Sequence, residues 1–504
     1  MRRKYLWALP LALVALFALL PGVALADIAT KVDKLDTAST DTAVALNTTW
    51  VTVAAVLVMF MQAGFAFLEV GFSRAKNAGA GIAKILINFS IAGIMYWAVG
   101  FALAFGGSGT IAGTHGFFLD VSSLPSEAAA QFPILDIAPI SPAALLFFQF
   151  VFCAVSLAIV WGTTLERIKF SAYVIYAVIF SAVIYPVISH WIFGGGWLQV
   201  NVGMQDFAGS TVVHLIGATG ALAVLLHLGP RLGKFGADGK PRPIPGHSMP
   251  IVGLGILILW LGWFGFNPGS TLGVFGSAAD GIGNRFAEVA LVTNLAAAAG
   301  VIAAVATMYA LRRTVDIGMA GNGAIAGLVA ITAPSGYVEF WAAPIIGAVG
   351  GIIVVFGVLA IEKRLDDPVG ALSAHGLAGI WGTLSCGLFT APRFASFNGV
   401  GDPGLWYSGS FHQLGAQALG VGVTFAVVFV VSYAVFGIIK ATIGLRVSQE
   451  EEEAGLDITE HGMYGYPEQF IPAEEYGFAS ITPADSPPTK PATATAMAST
   501  PSQA

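Results

Sequence analysis

Two histidines stand where uninterrupted apolar chain would be expected. His214 lies in QDFAGSTVVHLIGATGALAVLLHLG, residues 205–229, and His375 lies in ALSAHGLAGIWGTLSCG. Each is followed by small residues at near-helical spacing: Gly217 and Gly220 after the first, Gly376, Gly379 and Gly382 after the second. An ionisable group within a membrane span costs roughly 2.5 to 3.5 kcal/mol on insertion scales and usually faces a cavity or a partner. Small residues let helices approach closely, so the two imidazoles can meet. A hydrogen-bonded packing role is the simpler account of either histidine alone. Two of them, at corresponding places in the chain, shift the balance to function.

Asp206 precedes His214 by eight residues, about 12 Å along a helix, which is too far for a direct ion pair. It stands where an N-cap belongs, accepting from backbone N–H groups, and its charge also favours a cation at the outer mouth. Asp206 is therefore assigned to structure and field, and His214 to a pore. Aromatic and polar residues gather in three other phrases. LLFFQFVFCAVSLAIVWGTTLERIKFS holds Phe148, Gln149 and Phe152; SHWIFGGGWLQ holds Trp191, Phe193 and Trp197; GWFGFNPGST holds Phe266, Asn267 and Ser270. Trp191 and Trp197 read as interfacial belt residues. Phe152, Phe193 and Ser270 offer π faces and a hydroxyl acceptor, the makings of a cation-binding mouth.

The elements that must position these groups are membrane helices. The mean hydropathy is +0.78. Only 10% of the 504 residues are charged, where a soluble domain has about a quarter. Apolar spans fall near residues 43–72, 78–106, 142–165, 171–193, 208–228, 250–266, 285–311, 318–334, 338–361, 372–390 and 412–440. Each is long enough, or nearly so, to cross a core of about 30 Å. The fold class is thus an all-α polytopic membrane protein with eleven transmembrane helices, the N-terminus outside and the C-terminus cytoplasmic. Lys and Arg agree with that orientation, gathering in loops expected inside; only Arg285 and Arg393 sit against the pattern. The two histidine helices also hint that helices one to five are echoed by six to ten as inverted repeats, an arrangement common in transporters.

Residues 1–26 have a basic start, an apolar centre and Ala24-Leu25-Ala26 before Asp27, the pattern of a cleaved secretory signal peptide; an uncleaved first helix is the alternative. The membrane domain then runs over 27–446. Residues 447–480 form a shaped cytoplasmic tail, and 481–504, rich in Pro, Thr, Ala and Ser, are expected to be disordered. A net charge of −6 without a basic stripe argues against nucleic acid as a partner. Cys153 and Cys386 lie in apolar runs and imply neither a disulfide nor a thiolate metal site. No cofactor is expected. A membrane enzyme would want several ligands converging on a metal, and two histidines do not supply them.

Seven phrases in order, MQAGFAFLEVGFSRAKN, LERIKFSAYVIY, DFAGSTVVH, GWFGFNPGS, GAIAGLVAITA, DDPVGALSAHGLAGIWGTL and GLDITEHGMYGY, resemble the ammonium transporter family (Amt/Mep/Rh) over about residues 43–466. The likeness is closer to the bacterial and plant Amt branch than to the Rh branch. The resemblance implies a homotrimer in the bacterial inner membrane, with one pore per subunit. It implies an outer site for ammonium or methylammonium at Phe152, Phe193 and Ser270, a gate at Phe152 and Phe266, and pore histidines His214 and His375. The family commonly has Trp at the position of Phe193, so a weaker cation–π face is expected here. It further implies that the tail, with Thr459 and His461, regulates the pore from beneath a neighbouring subunit and that a PII-type signal protein binds the cytoplasmic side. Thr459 matches a phosphorylation position of plant members. The expected mechanism is outer binding of ammonium, deprotonation near the gate, ammonia passage along the histidines and reprotonation inside. An ammonium sensor acting through a cytosolic partner and an ammonia or carbon dioxide gas channel are the alternatives.

Overall fold

The computed structural model describes residues 8–107, 109–120, 131–274 and 285–471. The expected disordered end at 481–504 and the first seven residues of the expected signal peptide lie outside them. Among the described residues, nine helices are long and apolar enough to cross a membrane, and no strand forms beyond two isolated bridges. In chain order the helical elements are α1 (Ala8–Phe72), α2 (Ala75–Phe105), α3 (Pro142–Gly162), α4 (Phe170–Val200), α5 (Ser210–Leu228), α6 (Met249–Gly269), α7 (Arg285–Arg312), α8 (Ile317–Thr332), α9 (Ala342–Ile361), α10 (Ala378–Phe389) and α11 (His412–Thr442). Residues 8–26 continue α1 without a break, and residues 27–42 are exposed along their whole length. That stretch packs on nothing in the core.

All eleven apolar segments expected from sequence are helical, but two fall short of the length for crossing. α8 has 16 residues, about 24 Å of rise, and nearly every position from Met319 onward is buried in protein. α10 has 12 residues and is entered through a π-helical turn, Leu372–Leu377. Three more π turns interrupt the bundle, at Tyr96–Gly100 in α2, Phe180–Ile184 in α4 and Ser210–Leu215 at the start of α5. A π turn leaves a backbone carbonyl off the regular ladder, and the Ser210–Leu215 turn, buried at every position, meets protein rather than lipid.

Glycine seams bring the helices together. On α6, a Cβ at Gly262 would lie 2.1 Å from Met61 Cγ, and one at Gly265 would lie 2.4 Å from the Ala54 carbonyl of α1. On α9, a Cβ at Gly347 would lie 2.0 Å from the Ala296 carbonyl of α7. With lipid as apolar as the side chains, contact of this closeness is what holds helix to helix.

At one end of the bundle a buried charge cluster ties the loops together. Asp366 takes a bidentate bond from Arg231 (Nε to Oδ2 2.9 Å, Nη2 to Oδ1 2.9 Å) and a 2.8 Å bond from the Arg231 N–H. Burial pushes the Asp366 carboxyl up, but the Arg231 bond and the charges of Arg167 and Arg231 outweigh it and hold it at about 2. The tail follows as α12 (Gln449–Ala454), opened by a capping box of Ser448 and Glu451, and α13 (Leu456–His461). Asp457 accepts from the N–H groups of Gly79 (3.0 Å) and Ala80 (2.8 Å), and Asn77 Oδ1 accepts from Leu456 N–H (2.9 Å). The described tail is therefore docked on its own chain, at the start of α2.

Candidate functional site

α5 begins on Asp206. Its carboxylate accepts from four consecutive N–H groups, Gly209 (2.8 Å) and Ser210 (3.0 Å) on Oδ1, Thr211 (2.9 Å) and Val212 (3.0 Å) on Oδ2. These are the donors that a helix start leaves orphaned. Gly209, at φ +119°, makes the reversal from loop to helix that a side chain would resist. The π turn that follows carries His214.

The same device occurs a second time. Asp367 accepts from the N–H groups of Gly370 (3.0 Å) and Leu372 (2.8 Å), Gly370 has φ +77°, and the π turn Leu372–Leu377 carries His375. Both segments read D-x-x-G-x-x-x-x-H: DFAGSTVVH and DPVGALSAH. The sequence reading singled out Asp206 and passed over Asp367, although the spacing was there to find.

The two histidines meet. Their Nδ1 atoms are 3.2 Å apart, the ring centroids 5.2 Å apart and the planes 21° from parallel. At that distance one ring donates its N–H and the other accepts, which two neutral imidazoles can do. His214 Nε2 is buried and has no protein partner. The approach depends on the small residues that sequence picked out. A Cβ at Gly379 would lie 2.7 Å from the Ser210 carbonyl, and one at Gly217 would lie 2.6 Å from the Ser156 carbonyl.

Aromatic rings continue the line away from the histidines. His214 stacks with Trp263 at 5.4 Å and Phe266 at 5.6 Å. Phe266 in turn stacks on Phe152 at 4.0 Å with planes 5° apart, and Phe152 packs on Phe148 at 4.6 Å. Ser270 follows within one turn, its hydroxyl donating to the Phe266 carbonyl (2.9 Å). Phe193 ends its helical run half-buried, and no ring pair joins it to Phe152 or Phe266 among the described residues. The structure thus brings Phe152, Phe266, His214 and His375 into one column with Ser270 beside it, while Phe193 packs on the same core without a ring contact to the column among the described residues. Trp191 departs from the belt role expected of it: it is buried, and its indole N–H donates to the Ile111 carbonyl (2.9 Å). Trp263 was missed because a Trp in an apolar span looks like packing.

On the other side of the column, His375 borders a cavity of about 20 Å3 shared with Phe65, Glu69, Gly162, Asn322 and Val369. A wider cavity of about 340 Å3, lined among others by Asn322, Val369, Ser373, Asp367 and Arg231, lies next in line. In the tail, the Thr459 hydroxyl donates to the Gly455 carbonyl (3.0 Å), and His461 packs edge-on against Phe170 at 5.3 Å. Burial, and then the Lys84 cation, hold the His461 imidazole below its ordinary value.

Comparison with known proteins adds an independent line. The Ammonium Transporter Family model matches residues 49–466. Ammonium transporter Amt2 of Archaeoglobus fulgidus is 43% identical over 432 residues, covering 83% of this chain and 87% of that protein. Among solved structures, one described as "Sensor Amt Protein" has a TM-score of 0.74 at 35% identity, covering 84% of this chain and 99% of the other. Mep2 of Candida albicans has a TM-score of 0.71 at 30% identity, covering 81% and 87%.

Proposed function

Since the chain belongs to the ammonium transporter family, we propose that it transports ammonium across the membrane, conducting it as ammonia along the column from Phe152 to His375. The observation that carries this reading is the stacked Phe152–Phe266 pair standing directly against the His214–His375 pair. Ammonium and potassium are close in size, so a sieve by radius fails. Ammonium differs in donating hydrogen bonds and in having a neutral form. A dry path between phenylalanine rings penalises any intact cation, because removing a charge from water is very costly without compensation. Ammonia passes, and neutral imidazoles hand it hydrogen bonds on the way. Ammonium or methylammonium first binds outside, at the π face of Phe152, the Ser270 hydroxyl and, across the mouth, Phe193. Asp206 holds the helix start and lends a field favourable to that cation.

The same proposal includes a homotrimer in a bacterial inner membrane, a signal peptide over residues 1–26, and a tail at 447–480 that regulates the pores through Thr459 and His461. A PII-type protein is the expected cytosolic partner. The solved relative described as a sensor supports a second reading, in which the same ammonium site reports to a partner. Uptake by the purified protein in liposomes, with no partner present, separates the two. In that assay His214→Ala is expected to lower selective ammonium uptake at least about tenfold, the loss of roughly 1.4 kcal/mol at the barrier, and Ser270→Leu to raise the half-saturating concentration. Unchanged selective uptake in His214→Ala removes the pore assignment.

A further inference from the structure

Glu69 of α1 is an acid inside a membrane span, 1% exposed, in the cavity that His375 borders. Its Oε2 has no hydrogen-bond partner. A buried polar atom left unpaired is costly, and such an atom calls for an explanation. The cavity is shaped around it. A Cβ at Gly162 would come within 3.2 Å of Glu69 Oε1 and 3.2 Å of Val369 Cγ2, so the glycine keeps the space beside the carboxylate open. About 20 Å3 suffices for one molecule the size of water or ammonia.

A cation is close by but turned elsewhere. Lys84 of α2 is also 1% exposed, and its Nζ sits 4.3 Å over the Trp161 ring. Among the described residues it makes no ion pair. The charges acting on it include Glu460 and Asp457 of the tail as well as Glu69. The Trp161 face thus holds the Lys84 ammonium out of an ion pair with Glu69 while its charge still acts on the carboxylate.

We propose that Glu69 is the inner binding site for the transported ion: its free carboxylate oxygen accepts an N–H bond from ammonium in the small cavity beyond His375, and Lys84 limits how tightly the ion is held. The inference rests on the transport reading above. It gives the path a polar station at each end of the dry column: ammonia leaving the imidazoles takes up a proton delivered from water through the wider cavity, and the ammonium so formed is held by the Glu69 carboxylate. The mixed-charge vestibule beyond, reached past Asn322 and Val369, then receives it.

The test uses full-length protein in liposomes sorted by which face the tail occupies, with ammonium chloride pulsed from one side at a time. Glu69→Gln is expected to raise the half-saturating ammonium concentration from the tail side about tenfold, as loss of a charge-assisted bond implies, and to leave the opposite side within twofold. Glu69→Asp keeps tail-side saturation closer to wild type. Lys84→Met is expected to shift tail-side half-saturation the other way, downward, because a like charge is removed. A merely structural role would move Glu69→Gln and Lys84→Met in the same direction and from both sides alike, and that result overturns the inner site. So does unchanged tail-side half-saturation in Glu69→Gln. If Glu69→Gln fails to fold, the direction of the Lys84→Met shift decides alone. A wild type that carries no ammonium from either side removes the transport reading and the inner site with it.

Discussion

Phe193 sits at the end of a helical run with its ring half-buried, and the proposed outer site has it offer a π face to the incoming cation. An indole exceeds a benzene ring in cation–π strength, by a fraction of a kcal/mol at exposed sites and more when desolvated. Phe193→Trp is therefore expected to lower half-saturating ammonium roughly threefold in liposome uptake, with little change in the maximal rate. A raised value would show that Phe193 does not face the ion. At this scale the histidines were legible in the sequence because an imidazole in an apolar run is conspicuous. Glu69 and Lys84 were equally visible as charges inside spans, in FLEVGF and GIAKILI. They were passed over because each stands near a span end, where a charge is easily taken for a snorkelling or loop residue. That Glu69 has no partner for Oε2 is a fact of packing and could not be read from the string.

The helices were the most legible elements, since twenty apolar residues in a row have few other fates. Their irregularities were not. The four π turns leave no mark in hydropathy, yet two of them carry the histidines. Nor could sequence tell that α8 would be a buried 16-residue helix, because full burial and lipid exposure demand the same apolar composition. The seams between elements make a sharp demand on size. Gly347→Ala on α9 would drive a Cβ to 2.0 Å from the Ala296 carbonyl, and backbone cannot yield as a side chain can. A loss of about 1 to 3 kcal/mol is expected, read as a lower melting temperature in detergent; Gly415→Ala on α11, where a Cβ meets nothing within 4 Å, serves as the neutral control. Between elements, the Arg231–Asp366 bond ties the loop after α5 to the loop after α9. Asp366 is held at about 2, below its ordinary 3.8, so its contribution is full above pH 3.8 and fades as the pH falls through about 2. Asp366→Asn is expected to cost about 2 kcal/mol at pH 7, and the difference from wild type should close near pH 2. A gap that widens with acid would reverse the sign of this account.

At the scale of the whole molecule, paired charges mark both ends of the bundle. Arg285 and Arg393, the two residues at odds with the orientation read from sequence, both stack on Phe394 and pair with acids, Glu288 and Glu339. The pairs hold both side chains in place, but the orientation rule counts Lys and Arg rather than net charge, so both remain exceptions to it. The other end holds the Arg231–Asp366 cluster, and the tail is fastened there: Arg446 bonds Glu452, Glu452 accepts from Leu232 N–H, and Asp457 caps the start of α2. Asp457→Ala leaves the Gly79 and Ala80 donors open and is expected to release α13 without unfolding the membrane domain. Limited proteolysis should then cut near Gly455 at least several-fold faster, and uptake in liposomes should change if the tail regulates the pores. Cleavage at the wild-type rate would mean that other contacts hold the tail.

The meeting of His214 and His375 through Nδ1 has a consequence of its own. Two matching arms, each an Asp, a left-handed Gly and a π turn, deliver two like rings to one point, but the hydrogen between them belongs to one ring at a time. If His214 donates, its Nε2 is a bare acceptor and the Nε2 of His375 carries hydrogen; if the roles exchange, both outer nitrogens exchange as well. The pair therefore behaves as a turnstile with two positions. A proton taken at one outer nitrogen and given up at the other leaves the turnstile reversed, and it must be set back before it can pass a second in the same direction.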